Sequence, residues 1–383
     1  MFGNWKRLLG AAVLSLGLAA CQVVPKGAQP PVVGPAPQPT PSETGLPTDE
    51  GRHRVALLVP LTGPNAAVGQ SIANAANMAL LDTSAANLRI TTYDTGTGAD
   101  SAAARALADG NKLILGPLLG DDVRPVLARA RPAKVPLITF SNDTSVAAKD
   151  VFVMGVVPEQ SIGRTVDYAV SQGSRRFAAI VPNGEYGSRV EIALTARVAA
   201  NRGVLVATER YDRGNTSIIS AADRLRVKGG FDTVLVADGA RLSAMAAGAL
   251  KKAGDALPHL LGTELWSGED DIAKASALRG AWFATVSDGR YGQFASSYKS
   301  RFGEQPYRVA TLGYDAVLLT LRIARDWRPG RDFPAGQMLD AGGFLGLDGP
   351  FRFRGDGVAE RAMEVRQVGN GIVTVADPAP TRF

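Results

Sequence analysis

Residue types that usually carry chemistry are sparse in this chain. It holds one cysteine, Cys21, and two histidines, His53 and His259. That is too few to build a zinc site from side chains of the usual kind. Gly69-Gln70-Ser71-Ile72-Ala73 sets a serine behind a glycine but lacks the closing glycine of a nucleophile elbow. Two glycine turns invite a nucleotide reading. Gly63 and Gly69 enclose five residues where a phosphate-cradling loop needs four, and Gln70 follows where that loop carries its lysine. Gly96 and Gly98 match the first two positions of a dinucleotide fingerprint, but the third is Ser101. Asp100 or Ser101 serves more simply as the cap of the following helix. Nothing in this set proposes a catalyst, a metal or a cofactor.

Polar residues at the ends of apolar runs remain. In open α/β sheets ligands lie beyond the carboxyl ends of the strands, where helix N-termini present backbone N–H groups. In the first half of the chain such ends are Thr62 to Ala66, Gly116 to Gly120, and Phe140 to Thr144, giving Thr62, Asn65, Ala66, Leu118, Ser141, Asn142 and Thr144 as candidate ligand contacts. The second half offers Asn183 to Gly187, Asp238-Gly239 and Thr263 to Trp266, hence Tyr186, Asp238, Glu264 and Trp266. Hydroxyls and N–H groups on one wall suit a carboxylate, and Asp238 or Glu264 opposite suits an ammonium. Each polar residue serves equally well as a helix cap or turn former, and Tyr186 and Trp266 equally well as inter-lobe packing.

The elements that must position these residues alternate. "RVALLVPL", "LRITTYD", "KLILGP" and "VPLITFS" are continuous apolar runs separated by helical patterns, as in a parallel sheet covered on both faces. The pattern restarts at "PEQSIGRTVDYAVSQG" and continues through "RRFAAIVP", "VLVATERY", "FDTVLVAD" and "GAWFATV". The fold class expected is α/β, with two doubly wound lobes. The domain expectation is residues 52–157 plus 286–330 for lobe 1, and 158–285 plus 331–383 for lobe 2.

Ahead of the lobes, Lys6 and Arg7 precede the apolar run "LLGAAVLSLGLAA", which ends in small residues before Cys21. Residues 1–20 therefore read as a secretory leader. Leu18-Ala19-Ala20-Cys21 resembles a bacterial lipobox, which makes Cys21 the expected lipid attachment point. Residues 21–51 are rich in proline and small polar residues, too poor in apolar surface to offset chain entropy, and read as an extended tether. The formal charge of +6 falls to +4 once Lys6 and Arg7 leave with the leader, and no dense basic block argues for nucleic acid.

"VALLVPLTGPNAAVGQ", "LILGPL", "VPLITFSND", "VFVMGVVPEQ", Tyr186-Gly187 and "LGYDAV" together resemble the Leu/Ile/Val-binding, type I periplasmic binding proteins, over nearly the whole chain from Arg54 onward. "VPLTGPNAAVGQ", "ILGPLL" and "GFLGLDGPFRF" look nearest to a branch of penicillin-binding-protein activator lipoproteins. The resemblance implies a clamshell with a three-crossing hinge near Gly155 to Pro158, Thr285 to Asp288 and Arg328 to Phe333. It implies no cofactor and no enzymatic activity. It also implies a lipid-anchored location on the periplasmic side of the envelope, where Gln22 after the lipid-bearing cysteine points to the outer membrane. The expected role is regulation of a peptidoglycan synthase. The alternative is delivery of an amino-acid-like solute to an ABC permease. Leu118-Leu119 stands where amino-acid binders carry a serine-containing turn for the α-carboxylate, which favours the regulator.

Overall fold

The apolar run after His53 is buried on both sides, and this dictates the first layer of the structure. In this computed structural model, which describes residues 51–251, 258–269 and 271–383, strand β1 is His53–Val59. Val55, Leu57 and Val59 enter one apolar cluster and Ala56 and Leu58 another, so β1 needs a cover on each face. Helices α1 (Ala66–Asp82), α2 (Ala99–Ala108) and α3 (Gly120–Ala130) provide it. The sheet is completed by β2 (Leu88–Asp94), β3 (Leu113–Leu115), β4 (Leu137–Thr139) and β5 (Val151–Val153), all parallel, in the order β2-β1-β3-β4-β5.

A glycine fixes how α1 meets this sheet. A Cβ on Gly69 would lie 1.8 Å from the carbonyl oxygen of Pro60, so the helix crosses the end of β1 at a distance only glycine allows. The same device recurs in the second lobe, where a Cβ on Gly187 would lie 1.8 Å from the Pro182 carbonyl. The glycine that made the first turn look like a nucleotide loop serves helix–strand packing.

The second lobe comprises α4 (Pro158–Ser171), β6 (Arg176–Pro182), α5 (Glu185–Ala200), β7 (Val204–Tyr211), α6 (Ser217–Lys228), β8 (Thr233–Val236), α7 (Ala240–Leu250), β9 (His259–Leu261) and β10 (Trp282–Val286). Phe177, Ala179 and Val181 of β6 face one cluster, and Ala178 and Ile180 the other. Two C-terminal strands extend this sheet antiparallel, β14 (Met363–Val368) on β10 and β15 (Val373–Asp377) on β14, giving the order β15-β14-β10-β9-β8-β6-β7.

Between the two strand series the chain returns to the first lobe. Helices α8 (Tyr291–Phe302) and α9 (Thr311–Ile323) pack on α1, and a small antiparallel sheet of β11 (Phe344–Gly346), β12 (Gly349–Phe353) and β13 (Ala359–Arg361) follows. Phe333, Met338, Phe344, Phe351 and Phe353 share a core with Val55, Leu57 and Trp327. Residues 331–361 thus belong with lobe 1 rather than lobe 2 as the sequence suggested, because this aromatic run buries itself against α9 and the first sheet. The last crossing accordingly lies at Ala362, between β13 and β14, and not at Arg328 to Phe333. The first crossing spans residues 154–157, close to the expected Gly155 to Pro158; the second spans 287–290, later than the expected Thr285 to Asp288, because Thr285 and Val286 still belong to β10.

Cys21, the leader and the tether up to residue 50 lie outside the described residues. Among the described residues no helix is long and apolar enough to cross a membrane, and no group of three metal-ligating side chains forms.

Candidate functional site

The carboxyl ends of both sheets face a common cleft. Its outer part, about 690 Å³, is lined by Gly120, Asp121, Asp143, Glu185, Tyr186, Arg189, Arg213, Asp238, Gly239 and Glu269. Its inner part, about 450 Å³, is lined by Leu118, Phe140, Gly155, Val156, Glu264, Ser267, Thr285, Val286, Arg308, Val309, Thr311, Leu312 and Asp348. Leu119, Ser141, Asn142 and Leu265 line both. The mouth is polar and rich in carboxylates, and the interior mostly apolar with a few polar groups set into it.

Of the expected contacts, the structure brings Leu118, Ser141, Asn142, Tyr186, Asp238 and Glu264 to this cleft. Thr62, Asn65, Ala66, Thr144 and Trp266 do not line it. The Thr62 hydroxyl donates to Asp94 at 2.8 Å, and the same carboxylate accepts from the N–H groups of Leu61 and Gly96. Burial opposes the Asp94 charge, but these three donors outweigh it and hold the carboxyl below its usual range. Asn65 and Ala66 start α1, and Thr144 begins a 3₁₀ turn beside a separate depression lined by Glu159, Gln160 and Arg354. Trp266 is 1% exposed and donates its indole N–H to the Asp238 carbonyl at 2.8 Å, so it packs within lobe 2 and not between lobes. Nor do Asp100 and Ser101 cap α2: Asp100 pairs with Arg129, and Ser101 donates back to the Gly98 carbonyl.

Asp238 is also more committed than the sequence suggested. It accepts from the Tyr211 hydroxyl, from Arg213 Nε at 2.7 Å and from the Gly239 N–H at 2.8 Å. Glu264 is different. Tyr186 Oη lies 3.0 Å from its Oε1, while Oε2 is buried with no protein partner. Burial pushes this carboxyl up to about 7, and burial first, then the neighbouring Glu264, pushes the Tyr186 phenol upward. A carboxyl of this kind donates a hydrogen bond when neutral and pairs with a cation when ionised.

Three further polar atoms on the inner wall lack a protein partner: Ser267 Oγ, Thr285 Oγ1 and Arg308 Nε. With Glu264 Oε2 they form an unsatisfied set around an apolar space, and unsatisfied buried groups cost free energy until something meets them. Arg308 was not singled out from the sequence. It starts the turn before α9, donates Nη1 to Asp348 at 2.5 Å, approaches Asp288 in the second crossing at 3.4 Å and stacks on Tyr291. The only sequence signal for it was its place just before the "LGYDAV" helix.

Contacts across the cleft and hinge are specific. Arg189 on α5 forks onto Glu159 and donates to the Asn142 carbonyl of lobe 1 at 2.8 Å. Arg361 donates to the Met154 carbonyl in the first crossing, and Arg366 to the Val286 carbonyl and to Asp288 at the second. Behind Arg308 lie the buried Asp315, Asp348 and Arg361. Burial first, then the neighbouring Asp348, pushes Asp315 up to about 7.

Comparison with known proteins agrees with this architecture. The sequence matches the periplasmic binding protein family over residues 53–371. An uncharacterised protein of Rickettsia prowazekii is 27% identical over 169 residues, which is 44% of this chain and 45% of that relative's length. Among solved structures, a branched-chain amino acid ABC transporter protein from Rhodospirillum rubrum superposes with TM-score 0.75 at 21% identity, over 85% of this chain and 99% of its own. The C-domain of LpoA from Haemophilus influenzae, described as a regulator of PBP1A, superposes with TM-score 0.66 at 19% identity, over 84% of this chain and 99% of its own.

Proposed function

We propose, from the premise that this chain belongs to the periplasmic binding protein family, that it is a non-enzymatic receptor whose cleft closes on a small solute with an apolar body and a compact polar head. The observation that carries this reading is the set of unpartnered atoms Glu264 Oε2, Ser267 Oγ, Thr285 Oγ1 and Arg308 Nε around the inner cavity. Apolar walls with a few convergent polar groups are the usual form of a small-molecule site. Ser141, Asn142 and Tyr186 would add contacts from the mouth, and Leu118 would press on the apolar body. Mass spectrometry of small molecules carried by the purified protein, followed by calorimetry with those found, tests it. Ser141→Ala and Glu264→Ala should each weaken the heat signal. A protein that carries nothing, or binding indifferent to both changes, refutes the assignment.

For the output of this receptor we favour regulation of a peptidoglycan synthase over delivery to an ABC permease. Leu118-Leu119 at the carboxyl end of β3 supports this reading, since neither leucine offers the hydroxyl that holds an amino-acid carboxylate, and Asp121 beside them repels one. The fold likeness to the LpoA C-domain is consistent with it. A lipid on Cys21, in the outer membrane, with the Pro-rich segment as tether, would give such a regulator reach across the periplasm. Pull-down on an immobilised synthase, with turnover assayed with and without the protein, tests the choice. No association at micromolar concentration counts against the regulator, and association with a permease instead supports the importer.

A further inference from the structure

The charges around the cleft narrow the chemical class of its solute. Resting on the receptor reading above, we propose that the cleft takes a primary amine with an apolar body and one neutral oxygen, of the amino-alcohol or amino-amide class, and discriminates against the corresponding free amino acids. The amine pairs with Glu264, and the oxygen meets Arg308.

Glu264 provides the position for the amine. It is 9% exposed, its Oε1 lies 3.0 Å from the Tyr186 hydroxyl, and its Oε2 has no protein partner on the inner wall. The groups that face it leave room for one cation. Tyr186 on α5 is a phenol held neutral by burial and by Glu264 itself, and its hydroxyl also reaches that of Thr263. Glu159 on α4 is a second carboxylate, and Arg189 on α5 is forked onto Glu159. An ammonium on the solute would meet Oε2 and ionise the carboxyl as it binds.

Arg308 does not turn the same wall into a carboxylate site. Its Nη1 donates to Asp348 at 2.5 Å and its Nη2 to Asp288 at 3.4 Å, so two carboxylates already share its single charge. What is unmet is one donor, Nε, with the hydroxyls of Ser267 and Thr285 on the same wall. A neutral carbonyl or hydroxyl oxygen satisfies it. A carboxylate there would be buried near Asp348 with no cation to itself. The end of β3 is no better, since Leu118 and Leu119 offer no side-chain donor. Asp121 and Asp122 fill the first turn of α3, where a helix N-terminus would otherwise attract an anion. The mouth has the same sign: five carboxylates line it against two guanidinium groups, Arg189 committed to Glu159 and Arg213 to Asp238. Its field draws a cation in and repels an anion.

Calorimetry with leucinol and phenylalaninol, each against its parent amino acid and against the amine-free isoamyl alcohol, tests the class. At least one amino alcohol should bind at least about tenfold more tightly than its parent amino acid, as one charged group left unpaired implies, and isoamyl alcohol should bind more weakly still. From about pH 6 to about pH 8 the affinity for the amino alcohol should rise about tenfold, the change in ionised fraction of a carboxyl titrating near 7. Glu264→Gln keeps an acceptor for Tyr186 but loses the charge, and should weaken the amino alcohol about tenfold or more and flatten the pH dependence. Asp315, which titrates over the same range, is present in both proteins. The comparison of alcohol with amino acid in the wild-type protein stands without any variant. An amino acid that binds as tightly as its alcohol overturns the class, and leaves the cleft assignment standing where Ser141→Ala weakens that binding. An amino-alcohol signal indifferent to Glu264→Gln overturns the class as well. Silence from every probe also overturns it; a carried solute that Ser141→Ala releases would then keep the cleft assignment, and the lack of one would remove both.

Discussion

Replacing Glu264 by glutamine perturbs one buried group whose energetics follow from its surroundings. The side chain keeps its shape and its acceptor for the Tyr186 hydroxyl but loses its charge. In the folded protein the Glu264 carboxyl titrates near 7 against 4.5 for a free glutamate, because burial penalises the ionised form. The residue is only 9% exposed, so the difference converts with little solvent screening to about 3 kcal/mol. The sign follows from proton counting. Between pH 4.5 and 7 the folded state binds more protons at this site than the unfolded state, so stability falls as pH rises. The contribution is whole below 4.5, lost through 7, and gone above it. Glu264→Gln cannot show this loss. Urea unfolding of both proteins from about pH 4 to about pH 9, without ligand, should therefore show the variant gaining about 3 kcal/mol on the wild type as pH rises through 7, with the difference flat above about pH 8. Asp315 titrates over the same range in both proteins and cancels in the comparison. A difference that does not change with pH would mean that Glu264 is solvated, and the unsatisfied inner wall would lose its central member.

Four other substitutions probe the frame around the cleft. Gly69→Ala and Gly187→Ala each push a methyl group into a backbone carbonyl 1.8 Å away and should destabilise by about 1–3 kcal/mol in equilibrium unfolding; a loss under about 0.5 kcal/mol would deny the close crossing. Arg189→Gln removes the hold on Glu159 and on the Asn142 carbonyl, so small-angle scattering should report a more open particle with stability changed by about 1 kcal/mol or less. An unchanged radius of gyration would show that this contact does not set the lobe angle. Arg361→Met removes the cation acting on the buried Asp315, leaves Asp348 paired with Arg308 and frees the Met154 carbonyl, and unfolding should cost about 3–5 kcal/mol less. A change below about 1 kcal/mol would show that the buried network is hydrated and soft.

The sequence by itself determined the local elements and their class. Runs such as Val55–Val59 and Phe177–Val181 are apolar without alternation, and only a sheet covered on both faces can bury them, so the doubly wound lobes were readable from the pattern. The strand ends at Ser141, Tyr186 and Glu264 were readable for the same reason, since a parallel sheet presents all its carboxyl ends on one side. Tertiary structure decided what local pattern does not encode. Short strands such as β5 and β11 carry too few residues for a period to register. Residues 331–361 read as the tail of lobe 2 by order in the chain, yet Phe344 and Phe351 pack on α9, because the chain leaves lobe 1 only at Ala362. Thr62 and Trp266 had the right chemistry at the right strand ends, but an Asp94 carboxylate and an Asp238 carbonyl from elsewhere in their own lobes had already engaged them. Arg308 had no local mark, and its place on the cleft wall arises from contacts with Asp348 and Asp288, 40 and 20 residues away in the chain. Burial and partner choice depend on which distant segments arrive, and that is settled only when the lobes pack.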